Sequence, residues 1–326
     1  GAINGYNRWM PYTRAPAALR LSSALMAIMV LLLCSRCASG SHATIPAASS
    51  TAATTTARAT AALPAATATP TPTRSVTLHA VGDIMLARSI GARVLADGPS
   101  VVFAGVMPEL ASADLTVGNL ETSISDEGTP AAKGYTFRAP PQTAAALKDA
   151  GFDVVSQANN HALDYGPLAL ADLAQATQPA ILERNGLRIA FLGFVDTAAE
   201  GSYNEADWAA TATTPGVAWA STAAITEAVR AAKAEADVVV VMLHAGVEYA
   251  TTPSASQQTF AEAAIDAGAA LVLGAHPHVL QPVVPYHGGV IAYSLGNFVF
   301  DGFDPPANTT EIFDAVLTPK GVESWK

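Results

Sequence analysis

Apolar positions in this chain come in uninterrupted blocks separated by Ala-rich stretches with periodic polar residues. Blocks of branched apolar residues predict strands buried on both faces, and the Ala-rich stretches predict helices. The block 238–243 ends on His244. A helix is predicted over 257–267, and a second block, 271–273, then opens into Gly274-Ala275-His276-Pro277-His278. The same rhythm predicts strands over 76–81, 114–117, 152–157, 187–195, 290–294, 312–317 and 322–325. Helices are predicted over 140–150, 168–176 and 222–236, the first with proline at its front and Gly151 as its stop. Strands alternating with helices predict an α/β fold, in which ligands gather beyond the carboxyl ends of the strands.

Polar residues of one chemical kind follow these strand ends. Gly82-Asp83 follows the first, with Gly82 expected to supply the backbone angles of a tight turn. Gly118-Asn119-Leu120-Glu121 follows the second, and Asn159-Asn160-His161 with Asp164 follows the third. His244, His276 and His278 complete the set. A single histidine is more often structural than a ligand, but this chain has 7, and four of them lie just past predicted strand ends. The candidate metal ligands are therefore Asp83, Asn119, Glu121, Asn160, His244, His276 and His278, and the candidate catalytic residues are His161 and Asp164.

Carboxylates, amides and imidazoles without thiolate make a borderline-hard N/O site suited to Mn, Zn or Fe. The set exceeds what one tetrahedral ion needs. Two ions roughly 3.5–4 Å apart, sharing an oxygen ligand, would use it, and such pairs activate water and clamp a phosphoryl group. One or two divalent transition ions and phosphoester hydrolysis are the expected cofactor and chemistry.

Composition narrows the partners. Hydrophobic residues are 50% of the chain, enough for a sizeable core, and the net charge is −10 with 17 Lys and Arg. That balance excludes an electrostatic grip on nucleic acid, which needs clustered cations. Both cysteines, Cys34 and Cys37, lie outside the folded part. They follow Arg14, Arg20 and the apolar run 21–33, the layout of an export signal. Either could carry a lipid, although Leu33 and Arg36 are not the small residues expected before a lipidated cysteine. Residues 10–37 are expected to be a signal peptide or a membrane or lipid anchor. Residues 38–75, rich in Ala, Thr and Pro, are expected to be a disordered linker, because they cannot bury enough surface to offset ordering. Residues 76–326 form the folded domain.

The motifs VGDIML, DLTVGNLETSI, FRAPPQTAAALKDAGFDVVSQANNHALDYG, LHAGVEY, LGAHPHVLQP and YSLGNFVFD lie within Val76 to Asp301. In combination they resemble the CapA, or poly-γ-glutamate synthesis, family, which is related to the calcineurin-like metallophosphatases. The resemblance implies a four-layer α/β/β/α sandwich of the metallophosphatase type, behind the signal or anchor and the linker. It also implies an exported, extracytoplasmic protein attached to the cell envelope, with a part in making or attaching capsule or polyglutamate. Its partners would be an envelope polymer (polyglutamate or capsular polysaccharide) or a phosphoester substrate, and a membrane-bound polymer synthase complex. By motif, Asp83 matches the first metal carboxylate, Asn160 a metal-bound amide and His161 the imidazole that meets the substrate. His244, His276 and His278 match the remaining histidine ligands. The metallophosphatase pattern has Asp-x-His where this chain has Asp83-Ile84-Met85, and Gly-Asp where it has Gly118-Asn119. Glu121 is the residue placed to make up the missing charge. The chain also passes almost directly from helix to strand at Gln175 to Pro179, where the family has a longer segment. The alternative function is a non-catalytic accessory or polymer-binding subunit of a polyglutamate synthesis or export complex.

Overall fold

The computed structural model describes residues 74–171, 179–197, 208–211 and 215–326. The expected signal or anchor and all of the expected linker except Arg74 and Ser75 lie outside these residues. So do 172–178, which hold the end of the helix expected at 168–176 and most of the short join at Gln175 to Pro179. No helix among the described residues is long and apolar enough to cross a membrane.

In chain order the strands are β1 (Val76–Ile84), β2 (Leu115–Leu120), β3 (Ser123–Ile124), β4 (Arg138–Ala139), β5 (Val154–Ser156), β6 (Ala180–Arg184) and β7 (Leu187–Asp196). They continue with β8 (Val238–Ala245), β9 (Leu271–Ala275), β10 (Val283–Tyr286), β11 (Gly289–Ala292), β12 (Asn297–Val299), β13 (Phe313–Thr318) and β14 (Gly321–Trp325). The α-helices are α1 (Arg88–Asp97), α2 (Met107–Leu110), α3 (Thr143–Asp149), α4 (Pro167–Ala171), α5 (Thr222–Lys233) and α6 (Ala255–Ala267). Local chemistry explains the firmest of these. Every residue of β8, VVVVMLHA, is buried. Helix α6 opens with a capping box between Ser254 and Gln257 and stops at Gly268, whose φ of 116° a side chain would resist.

The strands form a mixed α/β fold with two main sheets. One runs β14-β13-β1-β2-β5 with β12 also beside β1, and the other runs β10-β11-β9-β8-β7-β6. Strands β1, β2 and β5 are parallel to one another, as are β7, β8, β9 and β11, so antiparallel pairing is confined to the flanks. Leu78, Ala80, Leu115 and Val117 of the first sheet pack directly on Ile189, Val240, Met242 and Leu273 of the second. The outer face of the second sheet is covered by α5 and α6 through Ile225, Val229, Ala261 and Ile265. The outer face of the first is covered through Ile90, Phe103, Leu110 and Leu147 of the segments around α1, α2 and α3. Helices, sheet, sheet and helices therefore lie in that order around three apolar layers.

Some elements depart from the expectation. Strand β1 continues through Gly82 and Asp83 to Ile84, so Asp83 stands inside a strand and not in a turn beyond it. Gly82 does not supply turn angles either. A Cβ there would sit 1.9 Å from the Gly296 carbonyl oxygen, so the glycine permits the close approach of β12 to β1. Helix α1 shows little apolar periodicity because it buries only Gly91 and Val94. The flanking strands β6 and β10 have no fully buried residue and carry no apolar block to reveal them.

Candidate metal centre

Register brings the ligands together. Asp83 pairs across the first sheet with Asn119 on one side and Asn297 on the other. In the second sheet His244 pairs with Ala275, the residue before His276. The two sheets face each other with the same ends of their parallel strands, so Asp83, Asn119 and Glu121 meet His244, His276 and His278, and the loop after β5 adds Asn160, His161 and Asp164. All nine are buried.

Glu121 is the centre of the cluster. Its Oε1 lies 3.7 Å from His161 Nε2, 3.8 Å from His244 Nε2 and 3.9 Å from His278 Nε2. Neither of its oxygens has a hydrogen-bond partner among the described residues, and the same holds for His276 Nδ1. Two ligand groups, Glu121–His244–His276 and Asp83–Glu121–His278, have donor atoms within 4.8 Å of one another and share Glu121. Metal bonds of about 2.0–2.2 Å allow ligand atoms no more than roughly 4.4 Å apart, so small side-chain movements suffice. The orphaned carboxylate and imidazole atoms and the N/O donor set fit a divalent transition ion.

The hydrogen bonds around the cluster orient its members. Asn159, which is not among the residues expected at the site, donates to Leu120 O (2.9 Å) and accepts from His161 N (3.1 Å), which sets which way its amide faces. Its Nδ2 then donates to Asn119 Oδ1 at 3.2 Å. Asn119 consequently turns its NH2 to Asp83 Oδ1 (2.8 Å) and His244 Nδ1 (3.1 Å). An amide held this way presents a donor to the cluster, in place of the metal ligand expected at Asn119. Asn297 is a second residue of the site not expected from the sequence. Its NH2 donates to Ala307 O at 2.8 Å, so its Oδ1, 2.8 Å from His278 Nδ1, accepts the imidazole proton and leaves Nε2 to face Glu121. His244 Nε2 lies 2.9 Å from Asn160 Oδ1. His161 Nδ1 lies 2.7 Å from Asp164 Oδ2, its ring is stacked on Phe137 at 4.1 Å, and its Nε2 faces the cluster.

Electrostatics shows what so dense a group does without a cation. Burial, and then the like charge of Asp83, push the Glu121 carboxyl well above the usual carboxylate range. Burial also pushes His244 well below its usual value, helped by His276 and His278, and takes His276 down to about 3. His278 is pushed down by burial but more strongly up by Glu121 and Asp83 together, to about 10. One proton on His278 thus stands in for part of the positive charge that two buried carboxylates require.

Comparison with known proteins places this constellation in a family. The family model "Bacterial capsule synthesis protein PGA_cap" matches residues 77–176 and 169–302, a span that contains every candidate site residue. The chain is 36% identical over 242 residues to the PGA biosynthesis protein CapA of Bacillus subtilis, covering 68% of this chain and 62% of that protein. It is 36% identical over 252 residues to the capsule biosynthesis protein CapA of Bacillus anthracis, covering 69% of this chain and 60% of that protein. It thus spans under two thirds of the length of these relatives. A solved structure, that of a hypothetical protein from Thermus thermophilus, aligns over 77% of this chain and 97% of its own with 17% identity and a TM-score of 0.46. From the strand that carries Asp83 to the strand that carries Asn297, this chain belongs to the family of bacterial capsule synthesis proteins, PGA_cap.

Proposed function

We propose that this chain is an exported, envelope-attached protein whose folded domain is of the metallophosphatase type and hydrolyses phosphoesters during the making or attachment of capsule or poly-γ-glutamate. One or two divalent transition ions, Mn, Zn or Fe, are its cofactors. The observation that carries the reading is Glu121, a buried carboxylate neither of whose oxygens has a hydrogen-bond partner among the described residues, common to two groups of ligand atoms. Bound ions supply water activation and charge neutralisation at the phosphoryl group.

The chain's own residues do the rest. Asp83, Glu121, Asn160, His244, His276 and His278 hold the ions, and Asn119 and Asn297 orient Asp83 and His278. Asp164 accepts the Nδ1 proton of His161 and so stabilises its imidazolium form, from which the Nε2 proton passes to the departing oxygen and leaves a neutral ring. Phe137 covers the ring face and keeps water from it. The capsule or polyglutamate context rests on the likeness to the two Bacillus proteins, and export rests on Arg14, Arg20 and the apolar run 21–33. The synthase complex and the polymer are partners of the same reading.

The test is to load the purified chain with Mn, Zn or Fe, measure metal content, and follow hydrolysis of a phosphomonoester and a phosphodiester. Hydrolysis that tracks metal content supports the reading. A fully loaded protein that hydrolyses neither favours the second reading, a metal- or polymer-binding accessory of a polymer synthesis complex. Asn119 is the observation on that side, because its NH2 adds no negative charge for a second ion. Fractionation of cells tests export, and recovery of the full-length chain only in cytosol would overturn it.

A further inference from the structure

The loop 125–137, between β3 and β4, sends one side chain into the interior that the proposed chemistry does not use. Lys133 has 0% of its side chain exposed, and an ammonium in such a place is strongly disfavoured unless charges and acceptors surround it. Its Nζ lies 2.7 Å from the carbonyl oxygen of Asn160, 2.9 Å from Asp164 Oδ1 and 3.4 Å from His161 Nδ1. The ring of Trp208 covers it at 5.4 Å.

These contacts fall on the two ends of one turn. Asn160 begins it and Asp164 closes it, and between them stands His161. The same loop reaches Asp164 at further points: Ala131 N donates to its backbone oxygen at 2.7 Å, and Phe137 N donates to Oδ2 at 2.5 Å. One cation therefore ties the backbone of a candidate metal ligand to the carboxylate that orients the candidate proton donor. We infer that Lys133 is a positioning residue which locks the turn 160–164, and with it the Asn160 amide and the His161 ring, against the metal centre. This inference rests on the metal reading proposed above. With the ammonium removed, the Asn160 carbonyl and the Asp164 carboxylate lose their shared partner in a buried place, and the turn relaxes away from His244 and Glu121.

The experiment uses the full chain, with manganese binding followed by electron paramagnetic resonance and hydrogen exchange followed in the metal-free protein. Lys133→Met, which keeps the length and removes the charge, is expected to weaken manganese binding about tenfold. It is also expected to speed amide exchange in 159–164 while leaving β8 and β9 as in the wild type. If Lys133 acts through Asp164, the double variant with Asp164→Asn binds manganese no more weakly than the worse single variant. Should Lys133→Met not fold, Lys133→Gln, which keeps a donor for the Asn160 carbonyl, is expected to fold and show the same loss. Wild-type affinity in the variant that folds, additive losses in the double variant, or faster exchange spread over the whole domain would each overturn the inference. A wild-type chain that binds no manganese would overturn the metal reading instead, and the exchange data would still decide on Lys133.

Discussion

His276 and His278 both adopt left-handed backbone conformations, with φ of 97° and 58°, and their ring centroids stand 6.0 Å apart on either side of Pro277. A non-glycine residue in that region costs of order 1–2 kcal/mol, so the loop after β9 holds two such residues in succession around a proline. The strain turns both rings inward toward Glu121, where the backbone N–H of His276 also approaches Asp83 Oδ2 at 3.3 Å. Glycine relieves such a conformation and alanine does not. In the metal-free protein His276→Gly should therefore be more stable than His276→Ala by about 1 kcal/mol, measured by denaturant unfolding. Equal stability would mean that the loop relaxes once the ring is gone. The double variant His276→Ala with His278→Ala should also lower the metal content found by elemental analysis.

Glu121 belongs to both ligand groups, so its loss should matter more than that of any single histidine. Burying an unpartnered carboxylate is unfavourable, and Glu121→Gln removes that penalty. The metal-free variant should melt no lower than the wild type. Addition of Mn or Zn should raise the melting temperature of the wild type and leave that of the variant unchanged. A variant that is stabilised by metal as strongly as the wild type would remove Glu121 from the site.

Metal affinity should rise with pH. A ligating imidazole must be neutral, and His278 carries its proton up to about 10 in the metal-free cluster, whereas His244 and His276 are already neutral at pH 7. Binding at pH 7 should then release a proton from His278, together with whatever proton burial keeps on the Glu121 carboxyl, and affinity should increase at least about tenfold per pH unit between pH 6.5 and 9. Calorimetry in buffers of different ionisation enthalpy measures the release. The sign is opposite for stability without metal. The folded pKa of His278 is raised, so its contribution is fully present below 6.5 and is lost as the pH rises through about 10.

His161→Asn should lower any phosphoesterase turnover by about a hundredfold or more, the usual effect of losing a positioned proton donor. Its Nδ1 is held by Asp164, and its Nε2 lies 3.7 Å from the nearest Glu121 oxygen. Metal content and melting temperature should stay close to those of the wild type. Loss of metal in this variant would make His161 a ligand, and unchanged turnover would make it structural.

Gly82→Ala tests the junction of β1 and β12. Its Cβ would meet the Gly296 carbonyl oxygen at 1.9 Å and the Leu295 carbonyl carbon at 2.9 Å, and both are backbone, which cannot rotate away. Overpacking of this kind destabilises by about 1–3 kcal/mol, and here it also displaces the adjacent Asp83. Denaturant unfolding and manganese affinity should fall together. A variant as stable as the wild type would show that β12 can move off β1.

Much of this was legible along the chain. Short apolar blocks rich in β-branched residues, such as 238–243, read as strands buried on both faces, and a polar residue that closes such a block falls at a strand end. That reasoning singles out Asp83, Glu121, His161, His244, His276 and His278 as candidates, and the structure brings them into one buried cluster, because burial period and position on the strand are local properties. The roles that depend on who faces whom were not local. Gly82 acts through Gly296, Asn119 is turned by Asn159, His278 is held by Asn297, and Lys133 lies under Trp208 against Asp164. No spacing in the sequence predicts those pairs, because the partners lie far apart along the chain and meet only when strands align within a sheet or the two sheets stack. Residue chemistry decided which atoms could bind a metal; tertiary packing decided which of them are left without any other partner, since only burial denies them water.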